Sequence, residues 1–229
     1  MKPHSTSVWP PYRMNLIYVA DPICSWSYGF GKELAALRAM HPELSLHIVT
    51  GGSHAGRGAV LDLQGRQMRL RHWERVQANT GLPFDRTAFL ARAHIVDDSE
   101  PASRAFVAAR RLAPQADLLA VLRRLQHAFY AEGRDIASGP TLAELVVGEL
   151  QAQGLDIDTR RFEAEWRSEG ALMETRADFR LARMLGADNF PSLLLDTGRG
   201  IVEISPGYAE AGLLDMRLRG VMDAMPRVA

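Results

Sequence analysis

The chain holds one cysteine, Cys24, in the run Asp21-Pro22-Ile23-Cys24-Ser25-Trp26-Ser27-Tyr28-Gly29-Phe30. A thiolate is a strong nucleophile, and local structure decides how readily a thiol becomes one. Asn15 to Ala20 is short, β-branched and aromatic, and it stops at Asp21-Pro22, the pattern of a buried strand. From Ser25 the apolar residues Phe30, Leu34 and Leu37 recur at helical spacing, and the helix must end near His41-Pro42, because the position before proline disfavours helical geometry. Cys24 therefore stands at a strand-to-helix turn. Free amides and the positive end of the helix dipole favour an anion there, so the expectation is a thiol that ionises more readily than free cysteine. Ser27, three residues on, neighbours it and could donate to the thiolate. In a dithiol site that place belongs to a second cysteine. A lone cysteine also serves as a small buried hydrophobe, and position by itself does not choose.

Asn189-Phe190-Pro191-Ser192 sets a proline at the first residue of a strand. An X-Pro bond can be held cis at modest cost, and a proline can equally be an edge blocker. Trp26 and Tyr28 are read as an apolar docking rim together with Phe190, or as packing against the helical part of the chain. Other motifs carry less. Thr50-Gly51-Gly52-Ser53-His54-Ala55-Gly56-Arg57-Gly58 follows a strand but lacks the Lys-Ser/Thr pair of a phosphate loop. Ala55 stands where a nucleophile elbow around Ser53 needs its second glycine. The seven histidines show no ligand spacing, so no metal is implied. Asp97-Asp98 with Glu100 reads as helix-start charge. Arg110-Arg111, Arg123-Arg124 and Arg160-Arg161 read as solvated faces of separate helices.

The elements that position these residues follow from periodicity. Leu44, Leu46 and Ile48 alternate with Ser45 and His47 as in a half-buried strand, and Gly51-Gly52 closes it. Residues 15–50 thus make a βαβ unit with a parallel pair. Met68 to Asn79, Ser99 to Leu112, Asp117 to Ala131, Thr141 to Gln153 and Asp158 to Ser168 each read as helix, with no strand signal between them. Ser99 is expected to cap ahead of Pro101, and Thr141 with Glu144 resembles a capping box. After a helix near Glu174 to Leu185, strands return at Pro191 to Asp196 and Ile201 to Ile204, joined by a hairpin turn at Thr197-Gly198-Arg199-Gly200. A last helix runs from Ala209 to Met225. Residues 15–52 and 174–229 are expected to share one sheet, with 53–173 inserted as an all-helical domain.

Composition narrows the function classes. The 229 residues are 47% hydrophobic and 24% charged, as in ordinary globular proteins. Lys+Arg 27 against Asp+Glu 27 gives zero net charge, which argues against a nucleic-acid binder with a broad basic face. One cysteine excludes an intrachain disulfide. Met1 to Arg13 has no continuous apolar stretch and reads as a loose arm. The longest apolar runs fall far short of the roughly 20 residues that span a bilayer. The expected setting is cytoplasmic, without membrane or nucleic-acid partners.

Cys24 at a helix start, a helical insertion, then Phe190-Pro191-Ser192-Leu193 entering a hairpin and a final helix resemble the DsbA family of thioredoxin-fold thiol oxidoreductases. More narrowly they resemble its cytoplasmic branch of protein-disulfide isomerase type, with its Asp-Pro-x-Cys-Ser-Trp-Cys-Trp-Gly-Phe motif. The likeness extends through Gly51-Gly52, His72-Trp73-Glu74, Ser99-Glu100-Pro101-Ala102 and Tyr130-Ala131-Glu132-Gly133-Arg134-Asp135-Ile136. The resemblance implies an α/β thioredoxin-like fold with a large helical insertion, Cys24 as nucleophile and Pro191 as a cis-proline facing it. It also implies that the Phe190 backbone pairs with an extended peptide or with glutathione. Protein or small-molecule thiols and disulfides would be the partners, with no cofactor beyond glutathione as co-substrate. Ser27 departs from the family motif. Without a resolving cysteine the protein forms no active-site disulfide of its own, yet a monothiol can attack a disulfide and hold a mixed disulfide until another thiol releases it. Two other readings stand beside this one: a redox-inactive peptide-binding module using the groove near Pro191, and a kappa-type glutathione transferase in which Ser27 or Cys24 assists glutathione ionisation. Ready ionisation of Cys24 favours an enzyme, and a value near that of free cysteine favours the module.

Overall fold

In the computed structural model, the residues described are 14–53, 55, 56, 58, 60–92 and 95–224. The Met1 to Arg13 arm, His54 and Arg57 of the glycine-rich stretch, and the expected end of the last helix at Met225 lie outside them. β1 (Asn15–Ala20) is buried along its whole length. It lies inside a four-stranded sheet in which β2 (Ser45–Thr50) pairs parallel to it, β3 (Ser192–Asp196) antiparallel, and β4 (Ile201–Ser205) antiparallel to β3. Successive side chains of a strand point to opposite faces. Leu16, Tyr18 and Ala20 accordingly join one core cluster, and Ile17 and Val19 a second. The half-buried pattern expected of β2 holds only at its start, because both faces are covered at its end: Ile48 enters the first cluster and Val49 the second.

α1 (Ser25–Met40) follows β1 and packs its buried Phe30, Leu34 and Leu37 on the first face. The inserted segment supplies α2 (Leu63–Thr80), α3 (Arg86–Ala91), α4 (Glu100–Leu112), α5 (Leu118–Tyr130), α6 (Gly139–Ala152) and α7 (Thr159–Trp166). α8 (Glu169–Met184) leads back to the sheet, and α9 (Ala211–Asp223) ends the described fold. The insertion shares its core with the sheet, since Phe106, Leu122 and Phe162 belong to the same cluster as Leu16 and Phe30.

Several local expectations are corrected. α3 is too short to show periodicity, and it forms where Asp85 caps the Ala88 amide (2.8 Å) and Phe89 is buried. α8 starts five residues early because the Ser168 hydroxyl caps the Ala171 amide. Ser99 does not cap α4: Asp98 accepts from the Glu100 amide instead (2.9 Å). The Thr141/Glu144 capping box is absent, since α6 already begins at Gly139 and Glu144 forms a two-point ion pair with Arg134 (2.7 and 2.6 Å). An isolated bridge joins Val60 to Val96 inside the segment read as free of strand.

Arg110 is no solvated charge. Its guanidinium donates to the Ile48 carbonyl (2.9 Å), to both Asp178 oxygens (3.1 and 3.0 Å) and to Glu174 (2.7 Å). Asp178 also accepts from the amide and hydroxyl of Thr50. Burial pushes the Asp178 carboxyl up, and Arg110 and Thr50 pull it back. This network fastens the end of β2 to α4 and α8.

Candidate active site

The turn between β1 and α1 is built on Asp21, which is fully buried. One carboxylate oxygen accepts from the Ile23 amide (2.9 Å), and the other from the amide and hydroxyl of Ser53 (2.9 Å each), so the turn is tied to the loop after β2. Cys24 is the N-cap of α1 in extended geometry, its carbonyl receiving the Tyr28 amide at 3.0 Å. β3 runs antiparallel beside β1 with Ser192 opposite Val19, which brings the residues just before β3 to the same end of the sheet. There the Phe190-Pro191 bond is cis, and the Cys24 thiol donates to the Phe190 carbonyl at 3.4 Å. Cys24, Phe190 and Pro191 therefore meet at one end of the sheet.

Ser27 lies one turn along α1, fully buried. Its carbonyl accepts from the Tyr18 hydroxyl (3.1 Å). The groups around the sulfur run against the expectation of a readily ionised thiol: Cys24 is half-buried as a residue, and desolvation of its thiol pushes it up, ahead of hydrogen bonds from the Ser27 hydroxyl and the Ser27 and Trp26 amides that lower it, while the Asp21 carboxylate adds to the rise. The dipole end is present, but the sulfur faces a carbonyl oxygen, an acceptor that suits S–H and disfavours S⁻. Both effects favour the protonated thiol. The pH sign follows: alkylation by iodoacetamide, which needs the thiolate, should still be accelerating as pH passes the roughly 8.5 of free cysteine. A rate that levels off below that value would contradict a thiol held to the Phe190 carbonyl.

The three aromatics do not form a common rim. Trp26, half-buried, packs against Tyr208 (5.4 Å between ring centroids) and His72 (6.0 Å). Tyr28 is buried in the insertion, stacked on Tyr130 at 5.0 Å with its hydroxyl against His127 Nδ1 (3.3 Å). Burial raises its phenol to about 12. The Phe190 ring lies over Gly51, where a Cβ would come within 2.1 Å of it.

Beside Cys24 opens a cavity of about 390 Å³ with apolar walls from Leu61, Met68 and Trp73 and polar groups from Ser25, Arg69 and His72. Two other clefts, of about 250 and 360 Å³, share Arg123 and include no part of the thiol site. Sequence reasoning did not place α2 at the thiol. Its periodicity marks a helix only, and the His72-Trp73-Glu74 likeness marks no role. Arg69 is engaged by Asp97. His72 Nδ1 accepts from Arg75 (2.9 Å), since a guanidinium only donates, so the ring proton sits on Nε2. Burial, then Arg75 and Arg69, push the His72 pKa down and keep the ring neutral. Among the described residues no cluster of three or more His, Cys, Asp or Glu could hold a metal ion, and no helix is long and apolar enough to cross a membrane.

No family model and no curated protein matches the sequence. Solved structures do. A Nitrosomonas europaea protein assigned as a protein disulfide isomerase is 27% identical, with a TM-score of 0.83 over 94% of this chain and 100% of its own. The cytosolic disulfide reductase DsbM of Pseudomonas aeruginosa, also solved with GSH, is 30% identical over 91% of this chain and 98% of its own, with a TM-score of 0.73. DsbA of Chlamydia trachomatis, at 14% identity and a TM-score of 0.58, shares the fold. With these likenesses the protein falls into the class of thioredoxin-fold thiol-disulfide oxidoreductases. Within that class the chain belongs to the DsbA family.

Proposed function

We propose that the protein catalyses thiol-disulfide exchange through Cys24 alone, with glutathione as the second thiol. One observation carries this reading: the only sulfur able to form a disulfide is held at the mouth of a cavity, 3.4 Å from the carbonyl before Pro191. In the first step the Cys24 thiolate attacks the glutathione sulfur of a glutathionylated substrate, a Cys24–glutathione bond forms, and the substrate sulfur leaves with the electron pair and takes up a proton. A second glutathione then attacks the adduct, giving oxidised glutathione and freeing Cys24. Backbone groups around Phe190 are available to align an extended substrate, and the cis bond to Pro191 follows directly on the carbonyl that receives the Cys24 proton. A lone reactive thiol suits a compartment rich in reduced glutathione, which favours the cytoplasm. DsbM is a cytosolic reductase solved with GSH, which supports this direction.

Burial gives this chemistry a characteristic pace. A thiol with a raised pKa is a poor leaving group, so the adduct should be long-lived and its release should limit turnover. The test is release of glutathione from a glutathionylated peptide with glutathione as reductant. Wild type should turn over, and Cys24→Ser should fall to the uncatalysed rate. Equal rates for the two would remove Cys24 from the reaction. The raised thiol pKa also favours a second reading, a redox-inactive peptide-binding module. Peptide binding to wild type with no turnover would select it.

A further inference from the structure

The polar side chains that line the thiol cavity besides Cys24 fall into two groups. Arg69 and Asp97 are engaged with each other, and the Ser53 hydroxyl donates to Asp21. Ser25 and His72 are not spent in this way. Ser25 is buried at the first residue of α1, and its hydroxyl has no hydrogen-bond partner among the described residues. His72 is half-buried on α2, one turn beyond Arg69, with its ring edge-on to Trp26 at 6.0 Å and its Nδ1 taken by Arg75. The ring proton is therefore on Nε2, and that N–H has no partner among the described residues either. A cavity of about 390 Å³, the size of a small-ligand pocket, thus offers two free donors beside the reactive sulfur. Their surroundings favour an anion. The start of α1 is the positive end of its dipole, and the guanidinium groups of Arg69 and Arg75 both act on the His72 ring. The carboxylate that lines the cavity, Asp97, is offset by Arg69.

We propose that Ser25 and His72 recognise a carboxylate of glutathione in the thiol cavity, a role that rests on the thiol chemistry proposed above. A carboxylate presents two oxygens that only accept, which matches one O–H and one N–H. Glutathione carries a carboxylate at each end, on either side of its sulfur, so the molecule that bonds to Cys24 brings the required group with it. The apolar walls at Leu61, Met68 and Trp73 pack its methylene groups and keep water from the two hydrogen bonds, which strengthens them. His72 carries no proton to or from a sulfur in this role, because its Nδ1 is occupied and its Nε2 only donates. It sets affinity for glutathione, so its removal should raise KM for glutathione more than it lowers kcat.

The test uses S-methylglutathione, whose blocked sulfur takes no part in exchange, with binding followed by NMR titration. His72→Leu should weaken binding about 10-fold or more, the size of a hydrogen bond to a charged group. His72→Gln, which keeps an N–H at the reach of Nε2, should stay close to wild type. Two altered ligands then locate the carboxylate: the glycyl ethyl ester of S-methylglutathione, and S-methylcysteinylglycine, which lacks the γ-glutamyl group. One of them should lose affinity for wild type and lose nothing further in His72→Leu. Equal binding of S-methylglutathione by wild type and His72→Leu overturns the proposal, as does a loss for each altered ligand that is the same in both proteins. If His72→Leu does not fold, Ser25→Ala carries the same comparison with the same two outcomes. Binding through His72 in a protein that turns over no glutathionylated peptide would sink the proposed function and leave this site standing. Turnover by Cys24 without binding of S-methylglutathione would do the reverse.

Discussion

Ser27→Cys should turn a protein that accumulates a glutathione adduct into one that clears it by itself. Ser27 occupies the first turn of α1, three residues beyond Cys24, and its hydroxyl is close enough to lower the pKa of the Cys24 thiol against the effect of burial. A second thiol at that place attacks the mixed disulfide intramolecularly, at an effective concentration far above that of any free thiol. Loss of the adduct should quicken by about 100-fold or more. After mild oxidation, intact-mass spectra should show an internal disulfide in the variant and a glutathione adduct in wild type. A variant that keeps the adduct as long as wild type would mean that the two side chains do not face each other. Ser27 is fully buried, so the larger sulfur should also cost some stability.

Gly51→Ala should damage both the fold and the setting of the thiol. Gly51 follows β2, and its amide donates to the Ala20 carbonyl at 2.7 Å, which fixes the backbone beside β1. A Cβ there would fall 2.1 and 2.2 Å from atoms of the Phe190 ring, so the ring must leave its place. Overpacking of this kind costs about 1–3 kcal/mol. Because the Phe190 carbonyl receives the Cys24 proton, moving this residue should free the thiol and speed its alkylation at neutral pH. Urea denaturation together with alkylation kinetics would show both effects. Unchanged stability would mean that the ring does not pack on Gly51.

The strand-turn-helix around Cys24 was legible because its signals are local: a β-branched strand stopped by Asp21-Pro22, then apolar residues at helical spacing. The same holds for the hairpin at Thr197-Gly198-Arg199-Gly200, where Gly198 takes the left-handed conformation (φ 73°). What depended on distant partners was not legible. Arg110 sits in a sequence that looks solvated, and only the fold brings Glu174, Asp178 and the Ile48 carbonyl to it. Trp26 and Tyr28 look like companions in the chain, but two residues along a helix turn the side chain by about 200°. One therefore meets Tyr208 and the other enters the insertion. The setting of Cys24 was only half legible, for a related reason. A helix start can be read from sequence, whereas burial and a facing carbonyl 166 residues away cannot.

The most direct measurement is intact-mass and peptide-mass spectrometry of wild type after exposure to oxidised glutathione, followed by added reduced glutathione. One glutathione should attach to Cys24, persist while no free thiol is present, and leave when the thiol is supplied. Cys24→Ser should take up none. A wild-type protein that remains unmodified at pH values where free cysteine reacts would contradict Cys24 as the working sulfur.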